Sequence, residues 1–189
     1  MRSPLVVAPV VLAMLVVSAQ AVEVSQLDVH HEGQRFYMTA VADIDVPHEV
    51  AFSILTDYEH LELLDPKVLD SRVLERPSPN VALVWMRVRG CVAFICKELE
   101  QVERVEENSP GEIVVTVLPE RSDVKLENAR WQLAPTEHGT RLSYTLEMEP
   151  GSWVPVFGRG SVERQLRASF RNALNAIEQL AEARAEAHE

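Results

Sequence analysis

Cys91 and Cys96 are the only cysteines in the 189-residue chain. Four residues separate them. That spacing is not the Cys-x-x-Cys of a redox pair, and no second ligand pair completes a zinc site. A disulfide is the remaining chemistry, and it requires an oxidising compartment. On one straight strand the two residues would stand about 16 Å apart, at roughly 3.3 Å per residue. A disulfide needs Cα atoms within about 7 Å. The chain must therefore turn between them, near Gly90, into a hairpin with the tip Val92-Ala93-Phe94-Ile95. So short a loop adds only about 2 kcal/mol on the chain-entropy model, so the bridge shapes the tip more than it holds the fold. Such an apolar tip is a lip over a cavity or a patch touching a lipid or partner. The other reading is ordinary core, with Trp153, Val154 and Phe157 folded over it.

Acid–base chemistry has fewer signs. Asp57, Tyr58, Glu62, Arg121 and Asp123 are polar residues able to stand at a cavity rim, where an Asp/Tyr or Arg/Asp pair would serve as acid and base. Capping and turn roles account for the same residues. His30-His31 belongs to a solvated N-terminal segment, and His48, His60 and His138 fall at turns or helix starts. No Ser/His/Asp order, Gly-rich phosphate loop or His-x-x-x-His pair occurs. No metal and no cofactor is expected. Lys+Arg is 18 against 29 Asp+Glu, a net charge of −11, which repels phosphate and argues against nucleic acid as a partner. An apolar share of 47% with 25% charged residues excludes a disordered chain.

The totals cover two unlike segments. Arg2 is followed by the apolar run Leu5–Val17 and then by Ser18-Ala19-Gln20-Ala21. A basic start, a short apolar core and an Ala-x-Ala end form a secretory signal peptide. The run falls short of the roughly 20 residues that span a bilayer, an uncleaved anchor being the alternative. Cleavage after Ala21 removes one arginine and no acid, leaving residues 22–189 as a single domain. No second long apolar run follows, so no stable membrane span is expected after cleavage. The expected destination is the periplasm of a bacterium.

The elements that must position these residues are mostly strands. Arg35–Val46 reads as a strand, and Pro47-His48-Glu49 opens a short helix carrying Val50, Ile54 and Leu55. A second helical piece, Leu61–Leu64, stops before Asp65-Pro66. Strands follow over Val68–Glu75, Val81–Arg89, Glu112–Leu118, Arg130–Ala134 and Thr140–Glu149. In the last, Leu142, Tyr144, Leu146 and Met148 share one face. Phe94–Glu106 suits either a helix or a strand whose apolar face is interrupted by Lys97, Gln101 and Glu103; its strand neighbours favour the strand. Val162, Leu166, Phe170, Ala173, Ile177 and Leu180 recur at helical spacing, predicting an amphipathic helix of about 25 residues at the C-terminus.

The order of elements resembles the helix-grip fold of the START-like (SRPBCC) superfamily, and within it the polyketide cyclase/dehydrase and coenzyme Q-binding branch. Ala42–Phe52 is similar to that family's first strand and helix entry. Leu55–Leu61, Asp65-Pro66-Lys67-Val68 and Ser71–Glu75 are similar to its Asp-Tyr segment, proline and second strand. Trp131, Gly139-Thr140-Arg141-Leu142 and the final helix stand where the family would have them. The resemblance covers residues 36 to about 182. It implies an α+β fold: a curved antiparallel sheet of about seven strands around a long C-terminal helix, with two short helices after the first strand. Its members bind lipids, hormones or polyketides, or act as cyclases. This chain departs from the usual intracellular members by its export signal and its cysteine pair.

A gap between such a sheet and its helix is a small-molecule cavity. The residues expected to face it are Tyr58, Met86, Val88, Phe94, Val115, Trp131, Tyr144, Leu146, Met148, Phe157, Leu166 and Phe170. The same spacing also suits plain core for Met86, Trp131, Tyr144 and Met148. The expected function is binding of a hydrophobic small molecule or lipid. The alternatives are a cyclase or hydratase in the same cavity, or a partner-binding module with a filled core.

Overall fold

A computed structural model describes residues 22–92, 95–108, 111–151 and 154–187. Eight strands form one antiparallel sheet: β1 (Glu23–Glu32), β2 (Arg35–Ile44), β3 (Val68–Ser78), β4 (Val81–Val92), β5 (Ile95–Asn108), β6 (Glu112–Val117), β7 (Leu126–Pro135) and β8 (Thr140–Glu149). Their spatial order is β1-β2-β8-β7-β6-β5-β4-β3. Helix α1 (His48–Leu55) and a 3-10 turn at Leu61–Leu63 lie between β2 and β3, and helix α2 (Arg159–Glu186) ends the chain. This is the α+β helix-grip architecture.

Three expectations are corrected. The sheet has eight strands rather than about seven. The added strand, β1, contains His30 and His31, so they do not lie in a loose segment. It pairs with β2 through the turn at Gly33, whose φ of 61° favours glycine. The helical pieces consequently follow the second strand, and the second of them is a single 3-10 turn. The Phe94–Glu106 ambiguity resolves as strand β5, paired with β4 from Val81↔Glu106 to Val92↔Ile95.

The concave face of the sheet is apolar by alternation. Ala40, Ala42, Ala51, Val84, Leu142, Leu174 and Ile177 are completely buried in one core. The alanines of β2 and α1 present little bulk, so the C-terminal half of α2 shares that core with Leu174 and Ile177. Gly139 sits before β8 because a Cβ there would come within 2.1 Å of the Ile44 carbonyl oxygen. Next to it, the Thr140 hydroxyl donates to the Val46 carbonyl (2.7 Å) and closes the end of β2 onto β8.

The N-terminal half of α2 is tied to both sides of the sheet rather than sunk into it. Arg167 donates to the carbonyls of Leu27 (2.9 Å) and Val29 (2.7 Å) on β1. On the other side, the amide of Cys91 donates to Gln165 (3.3 Å), and Lys67 Nζ donates to the Gln165 carbonyl (2.9 Å). His31 meets Glu163 at 2.7 Å.

Cys91 and Cys96 face each other across β4 and β5 and form a disulfide, with Cα atoms 4.0 Å apart. The strands extend to Val92 and Ile95, so only residues 93–94 separate them; these two, and hence Phe94, lie outside the described residues. Val92 packs with Phe36, Val154 and Val162 in a small second core. Ile95 and Phe157 remain 56% and 83% exposed. Of the expected tip, Val92 is therefore core and Ile95 exposed apolar surface, while Trp153, expected over it, lies outside the described residues.

Leu174→Ala should lower unfolding free energy by about 3 kcal/mol, because it leaves a void in the shared core. Cys96→Ser should lower it by about 2 kcal/mol or less. Urea denaturation monitored by circular dichroism ranks the two; a larger loss for Cys96→Ser would show that the bridge holds the fold.

Candidate functional site

Because α2 is held at its edges, a gap remains beneath its N-terminal half. The gap is a cavity of about 330 Å³, within the range of small-molecule sites. Met38, Val84, Met86, Val88, Leu99, Val105, Val115, Ala129, Leu146 and Met148 supply the sheet wall. Leu166, Phe170 and Ala173 supply the roof from α2, while Leu55, Tyr58, Leu61 and Leu64 close the side toward α1. Trp131, Tyr144 and Phe170 form an aromatic cluster at one end. Trp131 and Tyr144 have ring centroids 4.2 Å apart, and Phe170 stacks on them at 6.0 and 5.9 Å.

Away from the mouth, Gln101, Glu103, Glu127 and the hydroxyls of Tyr58 and Tyr144 interrupt this lining. Glu103 stands opposite Val117, and Thr116 stands opposite Asn128, so β6 carries Val117 between Glu103 and Glu127 in one cross-strand row. The two carboxyls thus flank one strand and face the same space. Gln101 Nε2 donates to Glu103 Oε1 at 2.7 Å and to Met86 Sδ at 3.4 Å. Gln101 and Glu103 are 6% and 5% exposed.

Burial raises both acids above the usual carboxylate range. The Glu103 carboxyl is raised by desolvation first and by Glu127 second, against the Gln101 hydrogen bond. Burial lifts Glu127 to about 7, again opposed by Gln101. The Tyr144 hydroxyl is raised by burial and then by the two acids. Tyr58 is raised mainly by burial, and its hydroxyl is buried without a hydrogen-bond partner among the described residues.

The mouth lies at the far end of β4, where Asp65, Lys67, Arg89, Gly90, Cys91, Gln165 and Ser169 line the opening. Lys67 donates to two neutral acceptors, the Gln165 carbonyl and Ser169 Oγ, both at 2.9 Å. Burial lowers its pKa and Asp65 opposes the shift. Arg89 pairs with Glu98 at 3.3 Å. The disulfide braces this rim.

Of the residues expected to face a cavity, Tyr58, Met86, Val88, Val115, Trp131, Tyr144, Leu146, Met148, Leu166 and Phe170 line it. Phe157 does not: it sits in the 3-10 turn before α2 and points to solvent, because Val154 and Val162 already fill the space against Val92. Of the polar residues expected at the rim, Tyr58 lines the cavity and the other four lie elsewhere. Asp57 pairs with His60 at 2.9 Å, Asp123 accepts from the Glu100 amide at 3.0 Å, and neither these nor Glu62 and Arg121 line the cavity. Gln101, Glu103, Glu127 and Lys67 are not among the residues the sequence places at the cavity. An acid on the apolar face of an alternating strand is the signal that marks Glu103 and Glu127. Among the described residues, no three potential metal ligands cluster.

The model of the family described as "Polyketide cyclase / dehydrase and lipid transport" matches residues 35–182. The chain belongs to this family. A comparison with curated proteins finds no match. Solved structures share the fold. The Zhui aromatase/cyclase from Streptomyces sp. R1128 superimposes with a TM-score of 0.63 at 18% identity, covering 80% of this chain and 94% of that one. A STAR-related lipid transfer protein from Xanthomonas axonopodis gives 0.62 at 12%, covering 82% and 98%. The lipid transfer and protein localization domain of human StarD13 gives 0.62 at 11%, covering 85% and 86%. The family's helix-grip fold is thus kept at identities too low to transfer residue roles.

The raised Glu127 has a consequence for stability. Its pKa is 4.5 when unfolded and about 7 when folded, so between these values the unfolded chain sheds a proton that the folded chain keeps. Stability therefore falls as pH rises through this window. Glu127→Gln should equal the native protein near pH 4 and exceed it at pH 8, by on the order of 3 kcal/mol. Urea midpoints at the two pH values test this; an equal or lower midpoint for the variant at pH 8 would contradict it.

Proposed function

We propose that this protein is exported to the periplasm and there holds a hydrophobic small molecule or lipid between its sheet and α2. The observation that carries the reading is the open, mainly apolar cavity of about 330 Å³. Filling it removes apolar ligand surface from water, worth about 25 cal/mol per Å² before the losses of association. The family description and the lipid-transfer names of two structural relatives support the same class of ligand. The signal-like residues 1–21 and the disulfide support an oxidising destination. No described helix is long and apolar enough to cross a membrane.

Native mass spectra of the protein recovered from the periplasm should show a lipid-sized adduct that organic extraction removes. Ala173→Phe, which places a ring in the cavity roof, should abolish the adduct while leaving the circular dichroism spectrum unchanged. A native protein without adduct, or an adduct that survives Ala173→Phe, would overturn the reading. Sequencing the periplasmic protein should give an N-terminus at Val22; recovery of the uncleaved chain from the cytoplasm would overturn the export.

A further inference from the structure

An apolar ligand alone leaves one part of the cavity without a purpose. Glu103 and Glu127 place two carboxyls in an otherwise mainly apolar wall. Glu103 is 5% exposed, and its only hydrogen bond among the described residues is the one that Oε1 accepts from Gln101. Neither Glu103 nor Glu127 forms an ion pair with any described lysine, arginine or histidine. A buried acid without a counter-charge opposes folding, so Glu103 does not stabilise the sheet, and the half-buried Glu127 beside it adds no compensating charge.

The cations that line the cavity do not answer this pair. Lys67 and Arg89 belong to the mouth, beside the Val88/Leu99 row, while Glu103 stands in the Val84 row. The rows are four residues apart, roughly 13 Å along the strand. Arg89 is paired with Glu98, and Lys67 is held on α2 by Gln165 and Ser169.

We propose that the cavity selects hydrophobic molecules that carry a basic amine, the ammonium seated against Glu103 and Glu127 and the apolar body lying along β4 and α2. The inference rests on the cavity reading above and adds the ligand's polar group. Two features favour an ammonium over a hydroxyl or a carboxylate. The two carboxyls, once they give up their protons, accept charge-assisted hydrogen bonds from its N–H groups. The chain's net charge of −11 draws cations toward the protein and repels anions. Burial holds a proton on these acids in the free protein, so seating the ammonium releases that proton to solvent, and the charge-assisted bonds offset this loss together with the ammonium's desolvation.

Dodecylamine, dodecanol and dodecanoate share a twelve-carbon tail and differ in the head, and calorimetric titration at pH 7.5 of the extracted protein compares them. The native protein should bind dodecylamine about tenfold or more tightly than dodecanol, with dodecanoate weakest. In Glu103→Gln/Glu127→Gln the preference for amine over alcohol should shrink to less than about threefold while dodecanol affinity is retained; retained dodecanol binding also shows that the variant is folded. Glu127→Gln alone should give an intermediate preference. Equal or reversed affinities in the native protein, or a preference that survives the double substitution, would overturn this inference and leave the cavity reading standing. Binding of none of the three would overturn both.

Discussion

A sheet with one apolar face has to cover that face, and here a single helix does most of the covering. Eight strands curve around α2, but a helix touches only a stripe of a concave surface. The C-terminal half of α2 fills its stripe completely with Leu174 and Ile177 against the alanines of β2 and α1. The N-terminal half is suspended between the two sides of the sheet by Arg167 on β1 and by Gln165 with Lys67 near β4. These polar ties act as spacers. They keep Leu166 and Phe170 from collapsing onto Met86 and Leu146, and the cavity is the volume that results.

Much of this arrangement can be read from residue types alone, because it follows from period. The strict alternation of Leu142, Tyr144, Leu146 and Met148 and the helical spacing of Val162 to Leu180 each identify an element and its inner face. The cysteines are read equally well, since disulfide geometry admits only a turn between them. What could not be read has physical causes. Strand β1 mixes Glu23, Asp28 and Glu32 with two histidines and buries only Val29 among its ten residues, so its identity depends on pairing with β2 rather than on its own pattern. Phe157 has an apolar side chain but no space left for it beside Val154 and Val162.

The site itself was hardest to read for an informative reason. Phe94–Glu106 resists assignment because Gln101 and Glu103 stand on a face that should be apolar. The residues that blur the strand's pattern are the ones that give the cavity its polarity. Glu127 does the same on β7, two positions before Ala129 and four before Trp131. Local rules failed where the sheet faces the cavity rather than packed core. Stability bears the consequence, since the buried Glu103 and the half-buried Glu127 titrate above their usual range.

The central claim is that the space under α2 admits an apolar ligand. Trp131 lines that space, while Trp85 lies outside the cavity lining, under the guanidinium of Arg72 at 4.4 Å. Indole N–H signals of protein labelled with ¹⁵N-tryptophan, recorded during titration with dodecanol after organic extraction, report on the two positions separately. The account predicts that the Trp131 signal moves to saturation at one equivalent while the Trp85 signal stays in place. A Trp131 signal unmoved by excess dodecanol, or one that moves no more than that of Trp85, would contradict it.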